Sequence, residues 1–307
     1  MPKLKIERSI KINAPVALVY AAISDFNKWV VWSPWLLMEP EAKVDIADDA
    51  KSYKWEGDRV GAGNMKVLEE RENEYLHCDL NFLKPWKSAN TTSFYLTNTN
   101  EGTEVKWTMD TSLPFYLFWM KKMMGAWVGA DYERGLDMLK AYVEQGEIYS
   151  KLDFKGNSEF AGCKWIGIKT DCLIDDMATK MSEDFGRIWQ YTERDGDNID
   201  GEPLTIYHKW DIVKGKVAYT VAVQVKEIPS DLPDGFVTGE IEKTPIYTLR
   251  HTGAYKHLGN AWSTLYTMHR NKEFKPRKDI HPFETYLNDP QKTLEKELIT
   301  EIHFPIK

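Results

Sequence analysis

Glu284 poses the first chemical question in this chain. It stands in "HPFETYLNDP", residues 281–290, among Phe283, Thr285, Tyr286 and Leu287, in a stretch that reads as a β-strand. A carboxylate walled by rings is partly desolvated, so its pKa rises and a cation is drawn to it. Ring faces around such a cation add contacts of about 0.5–2 kcal/mol each. The same carboxyl group is a general acid when protonated and can activate water when ionised. The plainer reading is an exposed strand acid, because Glu is mostly a surface residue.

Strand alternation puts Phe283, Thr285 and Leu287 on one face, and Glu284 with Tyr286 on the other. The expectation is that helices cover the first face and that the acid looks out from the second. In "TIYHKWD", His208 and Trp210 share one face, and Tyr207 and Lys209 the other. The His208/Trp210 face is taken as the one toward the acid. His208 is equally readable as a satisfied strand histidine. Trp262, spaced with Leu258 and Leu265, reads as core. In the first half of the chain Trp32, Trp35, Trp55 and Trp119 are candidates to line a cavity, although each alone is explained by packing.

These residues need elements to hold them. The chain has 307 residues, of which 42% are hydrophobic and 28% charged, enough for two domains with their own cores. Its 12 Trp, 15 Tyr and 12 Phe exceed what packing needs and suit small-molecule pockets. A net charge of −7 with interspersed signs argues against a nucleic-acid surface. Cys163 and Cys172, extended on one strand, lie roughly 30 Å apart, too far for a disulfide. With Cys78 they read as reduced thiols, which points to the cytoplasm. No spacing suggests a metal site and no cofactor is implied. The N-terminus "MPKLKIERSIKI" has no apolar core of a signal peptide. The run "LPFYLFWMKKMMGAWVGA" is too short and too charged to span a bilayer, so no membrane partner is expected.

The two halves differ in pattern. "KLKIERSIKI" alternates as a half-buried strand, and "NAPVALVYAAISD" follows as a helix that Asn13 can cap, with Pro15 in its first turn. Five alternating segments between Lys51 and Thr111 read as an antiparallel meander. After Pro114 the pattern turns helical. Tyr132, Leu136, Leu139 and Val143 mark one face of a long helix that must cover the sheet, an arrangement that tends to leave a tunnel. Residues 147–162 lack a period and are taken as a linker. Two strand–helix–strand–strand units follow, offset by roughly 80 residues. Their helices are "DDMATKMSEDFGRIWQYTER" and "GAYKHLGNAWSTLYTMHR", and a pseudo-twofold relates them.

The opening "SIKINAPVALVYAAISDFNKWVVWSPW", with "YERGLDMLKAYVE", resembles the SRPBCC superfamily, the START and polyketide-cyclase group. That implies a helix-grip fold over residues 1–148 with an apolar ligand between sheet and helix. "RHTGAYKHLGNAW", "FETYLNDP" and "LITEIHFPI" resemble the gyrase-inhibitor-like effector-binding domain over residues 159–307, which also ends AraC-type and multidrug-sensing regulators. The resemblance implies a groove at the repeat junction for small cationic or aromatic molecules, with the acid at Glu284 as its central polar group. Tyr255, in "HTGAY", is carried over with it, its hydroxyl within reach of a ligand or of the acid. The helix-turn-helix of the regulators has no counterpart, its place being taken by the first domain.

The expected class is therefore α+β: a helix-grip sheet with a long C-terminal helix, then a duplicated domain. The expected activity is binding of an apolar, aromatic or cationic small molecule for sensing or sequestration. The alternative is a hydrolase of electrophilic molecules with Glu284 as general acid or base. A protein-interaction role like that of the gyrase inhibitors is compatible with the acidic balance.

Overall fold

The computed structural model describes residues 3–112, 115–193 and 196–307. Met1, Pro2, Leu113, Pro114 and Arg194, which the N-terminal, turn and helix-end readings touched, lie outside them. The class is α+β, in two compact units, residues 1–149 and 150–307.

In the first unit β1 (Lys3–Ile12) leads into α1 (Val16–Ser24) and α2 (Phe26–Trp32). One helix was expected here. It divides at Asp25, whose extended backbone ends α1 and whose carboxylate accepts the Asn27 N–H at 2.9 Å to start α2. Asn13 does not cap α1, since Pro15 occupies that position and the Asn13 N–H donates to Glu144. The meander then runs through β2 (Lys43–Ile46), β3 (Ser52–Gly57), β4 (Gly61–Arg71), β5 (Tyr75–Lys84), β6 (Ser88–Thr99) and β7 (Gly102–Ser112). The four-residue strand β2 was not foreseen, being too short to show a period.

The seven strands form one antiparallel sheet in the order β1-β7-β6-β5-β4-β3-β2. The long helix α3 (Lys121–Gln145) covers it, burying Tyr132, Leu136 and Leu139 as its spacing predicts, and closes at Gly146 with a left-handed cap. Gly135 lets it come close, because a Cβ there would stand 2.8 Å from the Trp107 ring.

The second unit opens with β8 (Ser150–Phe160), in the segment read as a linker. It is an edge strand of mostly polar residues, paired along β13 (Thr244–Gly253), with an irregularity where Gly156 takes φ +79°. Its inward positions alternate, but Ser150, Gly156 and Ser158 stand among them beside Leu152, Phe154 and Phe160, so the hydrophobic signal is weak. Next come β9 (Cys163–Leu173), α4 (Met177–Thr192), β10 (Leu204–Asp211), β11 (Lys216–Val225) and β12 (Phe236–Ile241), another unforeseen edge strand. After β13 follow α5 (Gly259–Arg270), β14 (Phe283–Tyr286) and β15 (Ile299–Pro305).

The sheet order β12-β9-β11-β10-β14-β15-β13-β8 reads the same from both edges once the repeats are matched. The pseudo-twofold falls between β10 and β14, where Thr205 faces Glu284 in register. One face of the sheet carries Tyr207, Tyr219, Val221 and Val223 against α4. The other holds Trp165, Leu204, Ile206 and Phe283.

Candidate functional site: a caged carboxylate at the repeat junction

The register places Glu284 on the helix-bearing face, because its neighbour Phe283 belongs to the cluster on the opposite face. This reverses the expectation that the acid looks away from the helices. Alternation tells which residues share a face but not which face a helix covers. Each helix covers its own repeat, and the acid sits in the seam between them. The side chain is 1% exposed.

Its two oxygens accept three hydrogen bonds. Tyr286 Oη donates to Oε2 at 2.7 Å, Tyr207 Oη to the same oxygen at 3.0 Å, and Trp262 Nε1 to Oε1 at 2.5 Å. Thr205 Oγ1 lies 2.9 Å from Tyr286 Oη and completes the network. Phe185 of α4 packs edge-on to Tyr286 with ring centres 5.6 Å apart, and Met181 Sδ lies 3.9 Å from its hydroxyl. Trp262 of α5 packs edge-on to Tyr207 at 4.9 Å.

Tyr207 and Tyr286 occupy equivalent positions in the two repeats, "TIY" at 205–207 and "ETY" at 284–286. The two phenols therefore converge from both sides of the axis on one acid, which only the second repeat supplies.

Burial pushes the Glu284 carboxyl above its ordinary pKa, and the bonds from Trp262, Tyr286 and Tyr207 pull against that shift without cancelling it. Burial, with the facing carboxylate, raises both phenols far above their usual range. Among the described residues, no lysine, arginine or histidine forms an ion pair with Glu284. The site is thus a buried carboxyl group held by neutral donors. A buried charge of this kind is expensive, and a cationic ligand is what would offset it.

Tyr255, in the 3-10 turn Tyr255–His257 before α5, stacks edge-on to Tyr286 at 5.8 Å and is 38% exposed. Burial raises its hydroxyl to about 12, and Glu284 adds to the shift. No bond joins it directly to the acid in the network above. Trp210 lies at the rim, its ring 6.1 Å from Tyr207.

His208 is on the opposite face. A bulge between Tyr207 and Lys209 inserts one residue and carries Trp210 onto the Tyr207 side, so the simple alternation that grouped His208 with Trp210 fails. His208 Nε2 bonds Thr220 Oγ1 at 2.7 Å, its ring packs on His281, and burial holds it near pKa 4. Tyr207 and Trp262 were the residues missed at this site. Aligning "TIY" with "ETY" points to the first. Trp262 is core by spacing, and only its indole N–H reveals the second role.

In the first unit Trp35 and Trp55 line a cavity of about 50 Å³ with Trp29, Tyr53, Trp107 and Tyr132. It is no tunnel: α3 and the rings nearly fill the space between helix and sheet. Trp32 is buried in the core. Trp119 does not line the cavity, being 65% exposed, with its indole bonded to the Tyr116 carbonyl.

Residues 3–144 match the family described as polyketide cyclase / dehydrase and lipid transport. Residues 159–307 match the GyrI-like small molecule binding domain. The chain is a fusion of a polyketide cyclase-type domain and a GyrI-like domain. Neither family match describes a DNA-binding module, and no helix among the described residues is long and apolar enough to cross a membrane.

No curated protein matches this chain. Solved structures similar to parts of it include the EcmrR–DNA complex, with 16% identity over 63% of this chain and 72% of that one, at TM-score 0.42. SAV2435 bound to tetraphenylphosphonium has 18% identity over 50% and 94%, at TM-score 0.37. The protein MLL2253 from Mesorhizobium loti has 15% identity over 48% and 100%, at TM-score 0.36. Glu284, Tyr207, Tyr286 and Trp262 all lie within the GyrI-like match.

Proposed function

We propose that the GyrI-like unit is a receptor for lipophilic, aromatic cations, serving to sense or sequester them, with Glu284 as counter-ion. The observation that carries this reading is the buried carboxyl group caged by two phenols and an indole, with no ion-pair partner among the described residues. Desolvation strengthens its pull on a cation, and the surrounding rings offer faces to aryl groups. Tyr255 and Trp210, partly exposed at the rim, are the first rings a ligand meets. The hydrolase reading is supported less well. A general acid or base works with a second group that exchanges its proton, but burial and the facing carboxylate raise the Tyr207 and Tyr286 phenols far above their usual range, and the His208 imidazole lies across the sheet.

Titration calorimetry with tetraphenylphosphonium as probe tests the reading. Binding is expected to wild type and to be lost in Glu284→Gln. Equal binding of the uncharged triphenylphosphine oxide, or unchanged phosphonium affinity in the variant, would end the assignment.

A further inference from the structure

The first unit presents a second feature that its small cavity does not explain. Tyr116 and Trp119 are 73% and 65% exposed, and Trp127, on the first turns of α3, is also exposed. At the tip of the β5–β6 hairpin Trp86 is 79% exposed and stands beside the exposed Leu83.

The register brings these two groups to one end of the sheet. β5 turns into β6 with Phe82 facing Ser88, and Thr91 near the start of β6 faces Asp110 near the end of β7. Thr111 Oγ1 bonds the Asn90 side chain at 2.5 Å. The hairpin tip and the ring-bearing segment after β7 therefore project from the same edge.

The two segments themselves are basic, although Glu56 beside Lys84 and the exposed Asp110 of β7 lie at the same end. Residues 116–130 carry Lys121 and Lys122 and no acid, and residues 82–89 carry Lys84 and Lys87 and no acid, in a chain whose net charge is −7. Among the described residues, neither Lys121 nor Lys122 forms an ion pair, whereas Lys84 reaches Glu56 at 2.7 Å. Exposed apolar groups clustered in this way mark an interaction surface rather than scattered surface residues. Tyr and Trp settle at the headgroup level of a bilayer, and lysines beside them are drawn to anionic lipid.

We infer that this basic, ring-tipped end of the first unit docks on the surface of membranes rich in anionic lipid. The contact is peripheral and needs no spanning segment. It goes beyond the sequence-based expectation of no membrane partner, which rested on the lack of such a segment. Tyr116, Trp119 and Trp86 enter the interfacial layer, while Lys121 and Lys122 face the headgroup phosphates. A second protein surface would offer the rings a dry apolar patch but no reason for Lys121 and Lys122, unpaired among the described residues, to border it.

Flotation of the full chain with vesicles of phosphatidylcholine alone, and of phosphatidylcholine with phosphatidylglycerol, tests the inference. Binding is expected only to the mixed vesicles and should fall steeply with salt. Lys121→Gln with Lys122→Gln should lower the partition roughly twenty-five-fold, from about a factor of five per lysine. Tyr116→Ser with Trp119→Ser should abolish it, with an unchanged thermal transition as the control for folding. Absence of vesicle binding overturns the inference. Equal binding to uncharged vesicles does so as well, as does a concentration-dependent dimer that the serine pair dissolves. Retention on a soluble polyanion that survives the serine pair also overturns it.

Discussion

Two aromatic clusters in this chain have much the same raw material and use it differently. In the first unit Trp29 donates to Tyr53 Oη at 3.0 Å, Trp107 donates to Thr92 Oγ1 at 2.7 Å, and Tyr132 Oη lies 3.2 Å from the same threonine. These three tips find neutral partners. Trp35, also in the cavity lining, reaches a carboxylate, that of the partly exposed Asp131, at 3.3 Å. The rings close around about 50 Å³. At the junction of the second unit, two tyrosines and a tryptophan aim their tips at one carboxylate. Neutral pairs of this kind stabilise a core by about 1 kcal/mol each. Donors aimed at a buried charge stabilise an ion, and that is chemistry a ligand can use. Ring content does not separate a core from a site; the destination of the polar tips does.

The largest expected effect comes from the charge itself. Glu284→Gln should weaken phosphonium binding by about two orders of magnitude, the scale of roughly 2–5 kcal/mol for a desolvated charge partner. No neutralising change in the first cluster should approach it. The same variant carries a thermal signature. The folded-state pKa of Glu284 lies above its unfolded value, so its contribution to stability is present at low pH and is lost as pH rises through the folded value. At pH above the unfolded value, burying the carboxyl group costs stability. Differential scanning fluorimetry at pH 7 should therefore show Glu284→Gln melting no lower than wild type, a gain that vanishes below about pH 4.5. A variant several degrees less stable at pH 7 would mean that the cage is structural.

Acid should separate the two units next. Burial holds His251, His257 and His303 near pKa 4, and all three lie in the second unit. These values are depressed, so the stability they confer is present above pH 6.5 and is lost as pH falls toward 4. Hydrogen exchange followed by mass spectrometry from pH 7 to 4.5, corrected for intrinsic rates, should show β13 and β15 losing protection before β6 and β7. Equal loss in both units would refute a histidine origin.

Smaller effects sharpen the contrast. Tyr286→Phe removes a donor that lowers the Glu284 pKa, so the carboxyl should titrate higher and phosphonium affinity at pH 7 should drop several-fold. Tyr132→Phe, its counterpart in the first cluster, should cost about 1 kcal/mol in denaturant melts and leave phosphonium binding untouched.

Much of this architecture is legible in the order of residues alone. The 3.6-residue spacing of Tyr132, Leu136 and Leu139 marks α3, because that face must be apolar to cover a sheet. The recurrence of strand, helix and two strands marks the duplication, and Glu284 stands out because acids are costly among rings. The edge strands β8 and β12 are not legible, since they bury little. Nor is the closure of the first cavity, which depends on how closely α3 rests on Trp107.

The sequence by itself determined the two units, the repeated "TIY" and "ETY" strands, and an acid present in only one of them. These follow from local periodicity and residue type, which act over a few positions. Only the tertiary structure decided that Glu284 faces the helices, that a bulge turns His208 away and brings Trp210 round, and that Trp262 reaches the acid from a helix 22 residues earlier. Those outcomes rest on register and on helix placement, which are set by contacts between distant segments, and a one-residue insertion in one strand is enough to reverse them.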